Sequence, residues 1–370
     1  MLPFEPEALP PGDLDLLALM PAVGRANRAV ATLEGLFYGI PNPDILLSPI
    51  TTQEAVLSSK IEGTQADFED VLKFEAGEPP VDQSRRDDIR EIMNYRQALR
   101  QGERLLRDRP FCLNSLLALH ETLMDSVRGF DKGRGRFRTV QNWIGTAGSP
   151  IEQAVYVPPS PLGLQSHLDR WEAYWHSEAP DVLIQLALLH AQFEIIHPFV
   201  DGNGRLGRMV IPLFLFEKKI LSQPCFYLSA YFEARREAYI THLRELGQTP
   251  GGWTRWCAFF LDGVATQAEA NTVKARAIQD LYERLKRQVL DLTHSQFAVP
   301  LLDFIFSRPI FRSSDLTKLD EMPSAPMVAT LLGKLRQAGI LQTIREGAGR
   351  RPHILALAEL INLCEGRKVL

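Results

Sequence analysis

Residues 197–208 of the 370-residue chain read His-Pro-Phe-Val-Asp-Gly-Asn-Gly-Arg-Leu-Gly-Arg. One short stretch thus holds a histidine, a carboxylate, an amide, two arginines and three glycines. Gly202 and Gly204 permit backbone angles that larger residues avoid, so successive N–H groups can turn toward one centre. A helix opening near Asn203 to Arg205 would add its positive N-terminal end. Arg205 and Arg208 each offer a forked set of donors to phosphate oxygens. Asp201 is a hard oxygen ligand suited to Mg²⁺, the ion that accompanies nucleotide phosphates. His197 titrates near neutrality and can take a proton from an attacking hydroxyl. Together these residues predict a cradle for a nucleotide polyphosphate with a base at its edge.

The elements that must hold this loop are legible on either side of it. Val182–Ile196 is apolar and helix-compatible, and Asn203–Lys219 continues as a second apolar helix. A polar loop fixed between two core helices has to satisfy its own backbone groups and is the default candidate for a site.

The stretch resembles the signature of the Fic family, His-x-Phe-x-Asp/Glu-Gly-Asn-Gly-Arg-x-x-Arg, with every fixed position present. The resemblance covers roughly residues 45–265. It implies a protein adenylyltransferase that moves AMP from ATP to a Ser, Thr or Tyr hydroxyl of a protein substrate, auto-modification included. It implies His197 as general base, Asp201 as Mg²⁺ ligand, the Gly202–Gly204 backbone and Asn203 on the phosphates, and Arg205 on the distal phosphates. ATP and Mg²⁺ are the implied cofactors.

A second stretch, Ser58-Ser-Lys-Ile-Glu62-Gly63, resembles the inhibitory motif Ser/Thr-x-x-x-Glu-Gly/Asn of the same family. Ser58 and Glu62 are four apart and share a helix face, and Gly63 stops that helix. The resemblance implies that Glu62 pairs with Arg208 and takes the space and charge that the γ-phosphate of ATP requires, which makes the enzyme autoinhibited. Tyr239 matches the family position whose aromatic ring lies near the adenine.

Residues 129–161 turn rich in glycine and proline. Within them Arg136–Ile144 and Ala154–Val157 alternate as two short strands would. This hairpin resembles the Fic flap, and Ala154, Val155, Tyr156 and Val157 would form the edge that holds a target segment by strand addition.

The remaining chain predicts helices over Asp13 or Asp15 to Phe37, Ser48–Ile61, Asp67–Ala76, Arg85–Arg107, Leu113–Val127, Leu162–Ser177, Ser229–Leu246 and Trp253–Leu290. His120, among leucines, reads as a packing residue. Beyond residue 290, the order helix (His294–Ser307), short helix (Ser313–Leu319), helix (Ser324–Ala338) and glycine-turned hairpin resembles a winged helix. Residues 271–370 carry 15 Lys/Arg against 10 Asp/Glu. Arg345, Arg350 and Arg351 on the wing could meet DNA phosphates, although such modules also dock proteins.

The fold class expected is mainly α: a Fic-type helical core with a β-hairpin flap and a C-terminal winged-helix-like domain. The divisions are an N-terminal helical region over 1–110 with the inhibitory helix at about 48–62, a catalytic core over 111–265 with its flap at 136–158, a connecting helix over 266–290, and the winged-helix-like domain over 291–370. The four cysteines lack CxxC spacing, the start lacks a signal-peptide pattern, and no stretch is long and apolar enough for a membrane span. A cytoplasmic protein without membrane partners is expected, and a homodimer is left open. Two alternatives stay open: a relative transferring a different nucleotide, and a nucleotide-sensing, DNA-binding transcriptional regulator.

Overall fold

The computed structural model describes residues 3–39, 42–125, 132–145, 150–348 and 351–370. Its helices in chain order are α1 (Leu16–Phe37), α2 (Pro43–Leu46), α3 (Ser48–Ile61), α4 (Phe68–Glu75), α5 (Gln83–Asp108), α6 (Leu113–Leu123), α7 (Leu164–His176), α8 (Val182–Ile196), α9 (Asn203–Glu217), α10 (Ser229–Ala234), α11 (Arg236–Glu245), α12 (Gly252–Thr293), α13 (Ala298–Ser307), α14 (Ala325–Gln337) and α15 (Ala358–Glu365). Three short strands, β1 (Ile310–Arg312), β2 (Gln342–Arg345) and β3 (Ile354–Ala356), make one antiparallel sheet in the order β1-β3-β2. The chain divides into two compact units. No helix among the described residues is long and apolar enough to cross a membrane.

The first unit comprises Met1–Glu34, Leu57–Thr64 and Met93–Glu269. Its centre is α8, which is apolar on every side and buried along nearly its whole length, as such a helix must be. Asp181 starts it by accepting from the N–H groups of Leu183 and Ile184 at 2.9 and 3.0 Å. Three tryptophans lock the surrounding helices. Trp171 donates to the carbonyl of Leu189 at 2.9 Å, Trp256 to that of Ala187 at 2.8 Å, and Trp175 to the Glu217 carboxylate at 2.5 Å. Each indole N–H thereby finds an acceptor while its rings fill the core. The first two of these carbonyls belong to α8, the frame from which His197 emerges.

The second unit comprises Gly35–Val56, Gln65–Ile92 and Ala270–Leu370. β3 is the central strand and all three of its residues are buried. The expected inner stripe of α14, Val328, Leu331, Leu332 and Leu335, is buried, and Gly339 ends the helix at φ +73°. Arg345 forms an ion pair with Glu78 at 2.8 Å rather than standing free on the wing. Arg336 is held by Glu346 at 3.0 Å. Arg350 lies outside the described residues.

Several expectations need correction. The helix expected over 229–246 breaks at Arg235, whose guanidinium sits 4.2 Å over the Tyr231 ring; Ser229 is the first residue of α10, and Leu228 takes the cap position. The stretch 313–319 tightens into a 3₁₀ turn over Leu316–Lys318. β1 and α15 are additional elements. The flap forms no regular ladder: among the described residues it reduces to one antiparallel bridge, Ile144 opposite Tyr156. Its backbone is claimed elsewhere, since the Arg138 N–H donates to the carbonyl of Pro198 at 2.9 Å and Pro158 and Pro159 have no N–H to give. The last residues of the helix expected to reach Val127, and Gly129 and Gly148, lie outside the described residues.

Replacing Asp181 with Ala removes two N-cap hydrogen bonds and should destabilise the first unit by about 1 kcal/mol, read as a lower denaturant midpoint with an unchanged slope.

Candidate active site

The loop between α8 and α9 is built by two left-handed residues. His197 ends α8 at φ +49°, ψ +61°, and Gly202 precedes α9 at φ +80°. Gly202 is required twice over, because a Cβ there would come within 2.8 Å of Met124 Sδ. Asn203 braces the turn: its Oδ1 accepts from the Phe199 N–H and its Nδ2 donates to the Phe199 carbonyl, both at 2.8 Å. The resemblance placed Asn203 on phosphates; here both ends of its buried amide are engaged within the loop.

His197 Nδ1 faces the carbonyl of Glu194 at 3.3 Å. A carbonyl only accepts, so Nδ1 carries the proton and Nε2 is left with its lone pair. Burial pushes the imidazole down to about 4, against the opposing pull of the Glu194 carbonyl. His197 is therefore neutral at physiological pH and equipped to accept a proton.

Asp201 lies on the other side of the turn. Its Oδ1 accepts from the Gly202 N–H at 2.6 Å and sits 3.5 Å from Arg205 Nη2, while Oδ2 is paired with Lys132 Nζ. Burial works against the charged carboxylate, but Lys132 and Arg205 outweigh it and hold Asp201 below the usual carboxylate range.

Arg208 projects from the second turn of α9 and is 2% exposed. The end of α3 supplies three acceptors to it. Arg208 Nε donates to Ser58 Oγ at 2.9 Å, and Nη2 donates to the Ser58 carbonyl at 2.8 Å and to Glu62 Oε1 at 2.7 Å. Ser58 and Glu62 thus meet one guanidinium from one helix face. Gly63 follows at φ +104°, the backbone that lets the chain turn away after Glu62. Burial would raise the Glu62 carboxyl, but Arg208 overrides it and holds it below the usual range. The same pairing keeps Arg208 firmly charged, although burial alone would lower it.

The expected site residues do not all converge. Ser58 and Glu62 meet Arg208, Glu62 lies against Gly204 and in the field of Arg205 and His197, and Asp201 lies against Gly202 and Arg205, all at the start of α9. A Cβ on Gly204 would come within 2.3 Å of Glu62 Oε1, so the carboxylate lies directly against the glycine backbone. Tyr239 reaches the Arg208 guanidinium from α11: its hydroxyl is within hydrogen-bonding reach of Arg208 and meets His190 Nε2 at 3.0 Å, while its ring stacks on Phe232 at 4.4 Å. On the flap, Val155 is 45% exposed whereas Ala154 and Val157 are buried. The Tyr156 hydroxyl donates to the Ile195 carbonyl at 2.9 Å, and the Val157 carbonyl accepts from the Phe4 N–H of the same chain at 2.9 Å.

Four residues escaped the sequence reading. His120 is part of the site's support: Nε2 donates to the Asp201 carbonyl and Nδ1 accepts from the Gly135 N–H, both at 3.0 Å, with Phe199 stacked at 3.8 Å. Arg138 donates to the carbonyls of His197, Pro159 and Ile196 at 2.9, 2.6 and 3.3 Å and so ties the flap to the loop. Lys132 reaches Asp201. Glu194 packs against α9 at Gly207, where burial pushes its carboxyl up to about 7 despite Arg208. Nothing in their spacing marks these four, because each acts through a contact distant in sequence.

The residues fit a nucleotide polyphosphate with a divalent ion. A carboxylate already stands as an anion on Arg208 at a glycine-lined helix start, and an ammonium already stands as a cation on Asp201. Anion and cation positions are therefore adjacent and correctly signed.

Two family models match the chain: the Fic/DOC family N-terminal model over residues 20–104 and the Fic/DOC family model over residues 110–215. Together they span more than half of the sequence, and the chain belongs to the Fic/DOC family. A probable protein adenylyltransferase of Aquifex aeolicus is 28% identical over 200 residues, which are 52% of this chain and 56% of that protein. The protein adenylyltransferase Fic of Drosophila grimshawi is 30% identical over 135 residues, covering 35% of this chain and 26% of that protein. The chain thus matches about half or less of these relatives' length. The crystal structure of a Fic family protein from Desulfovibrio desulfuricans shares the fold, with a TM-score of 0.57 at 19% identity over 91% of this chain and 96% of that one.

His197, His120 and His190 have values of about 4, 4 and 3, each lowered chiefly by burial. The unfolded chain would bind protons at these histidines near pH 6.5, before the folded one does, so stability is lost as pH falls through the window from there to about 4. The melting temperature should drop across that window, and histidine NMR resonances of the folded protein should show these three rings still neutral at pH 6.

Proposed function

We propose that this protein is an adenylyltransferase that moves AMP from ATP to a hydroxyl side chain of a protein, and that Glu62 holds it in a restrained state. The observation that carries this reading is the 2.7 Å pairing of Glu62 with Arg208 beside a neutral His197. The adenylyltransferase names of the relatives support the same reaction class.

In this reading the start of α9 and the Gly202–Gly204 backbone receive the phosphates. Arg205 and Arg208 offer donors to the distal oxygens. Asp201 would hold Mg²⁺, whose double positive charge draws density from the phosphate oxygens. His197 Nε2 accepts the proton of the incoming Ser, Thr or Tyr hydroxyl, whose oxygen attacks the α-phosphorus. The P–O bond to pyrophosphate breaks, and AMP stays on the target. Most of the acceleration comes from placement and fixed charge, as in phosphoryl transfer generally.

Glu62 is 40% exposed on its side chain, so it can leave Arg208 without unfolding α3. While it stays, a γ-phosphate lacks both the space and the guanidinium. The target would lie along the flap, where Ile144 and Val155 are 40% and 45% exposed. The module over 291–370 serves in this reading as a docking element rather than a DNA reader, because Arg345 and Arg336 are already paired with Glu78 and Glu346.

His197→Ala should lower AMP transfer by about 10²–10⁴-fold while ATP affinity stays as in the parent protein. Glu62→Gly should raise labelling from radioactive ATP by about 10- to 100-fold, the range set by a charge-assisted hydrogen bond of about 1.5–3 kcal/mol. An unchanged rate for Glu62→Gly would remove the restraint from this reading. A target mass shift other than that of AMP would replace the nucleotide.

A further inference from the structure

Both carboxylate oxygens of Asp201 are already engaged by the protein. Oδ1 takes the Gly202 N–H at 2.6 Å and lies 3.5 Å from Arg205 Nη2, and Oδ2 is paired with Lys132 Nζ. Lys132 arrives there on a constructed turn. Gly133 and Gly135 follow at φ +67° and +66°, and the Gly135 N–H donates to His120 Nδ1 at 3.0 Å. The opposite edge of that imidazole donates to the Asp201 carbonyl, also at 3.0 Å. One histidine therefore fixes both the lysine's turn and the backbone of its acid. A Cβ on Gly135 would come within 3.1 Å of Glu121 Cβ, which leaves this turn little room to move aside. The lysine side chain itself is 43% exposed and has a free path to solvent.

A divalent ion approaching Asp201 meets a resident unit charge and a carboxylate whose two oxygens already have protein partners. A polyphosphate changes that balance, since it offers the ammonium several anionic oxygens in place of one carboxylate. We propose that Lys132 is a resident counter-cation of Asp201 that keeps free divalent ions off this carboxylate and releases it only when a polyphosphate is present. Metal then enters with the nucleotide rather than ahead of it. The cradle carries a second restraint, opposite in sign to Glu62 and on the other side of the glycine turn. This rests on the reading of Asp201 as the metal-binding residue.

The test uses Mn²⁺ as the probe, titrated into the full chain without nucleotide and followed by electron paramagnetic resonance. Lys132→Met should bind Mn²⁺ about fivefold more tightly than the parent protein, the upper range for a partly exposed ion pair. Lys132→Arg should restore weak binding, and Asp201→Asn should abolish the gain in the Lys132→Met background. Equal Mn²⁺ binding by Lys132→Met and the parent protein, with Asp201→Asn weakening both, would overturn the proposal and leave the metal reading intact. Mn²⁺ binding that ignores Asp201→Asn in either background would remove the metal reading itself and the proposal with it. Matched melting curves for all variants separate these outcomes from misfolding.

Discussion

A guanidinium buried to 2% exposure must have an anion or a set of acceptors beside it, and Arg208 is such a group. In this structure a hydroxyl, a carbonyl and a carboxylate reach it from Ser58 and Glu62 at the end of α3, and the Tyr239 hydroxyl reaches it from α11. Ser58 would continue to hold the Nε edge if the carboxylate left. In the proposed function Arg208 would exchange Glu62 for a phosphate without passing through an unpaired state. The proposed restraint depends on this exchangeability: Glu62 is charged, close and partly exposed, while the rest of the Arg208 environment is fixed.

The fixed part originates in α8 and α9. A buried, mainly apolar helix held by indole N–H groups on its carbonyls is a rigid support for His197 at its end. The left-handed cap at His197 swings the imidazole out of the helix line, and the Glu194 carbonyl selects its tautomer. His120 and Arg138 then tie the loop to α6 and to the flap. The chemistry sits on a short loop, but every end of that loop is anchored to a helix or by a buried side chain.

The 197–208 stretch was legible because its chemistry and its spacing are local: glycine angles, a helix start and forked cations read directly from sequence. The Ser58–Glu62 pair was legible in its periodicity, and its meeting with Arg208 came from the family resemblance. Helix positions read well in α8, with its long apolar run, and in α3, which Gly63 stops; the bounds of both match those expected. The missed site residues share one cause. Arg138, Lys132 and His120 act across sequence separations of 59, 69 and 81 residues, which no local pattern records. The flap strands were overestimated because alternation says nothing about a competing acceptor, here the carbonyl of Pro198. The break at Arg235 was missed because the residues around it favour helix and only the local stacking on Tyr231 marks it.

Competition between Glu62 and a terminal phosphate for Arg208 is most directly measured by comparing ATP with ADP. Calorimetry should find that the parent protein binds the two nucleotides with nearly equal affinity, because the position of the third phosphate is taken. In Glu62→Gly the preference should shift clearly toward ATP, as the γ-phosphate gains the guanidinium. An ATP-to-ADP affinity ratio that is the same in both proteins would contradict the exchange at Arg208.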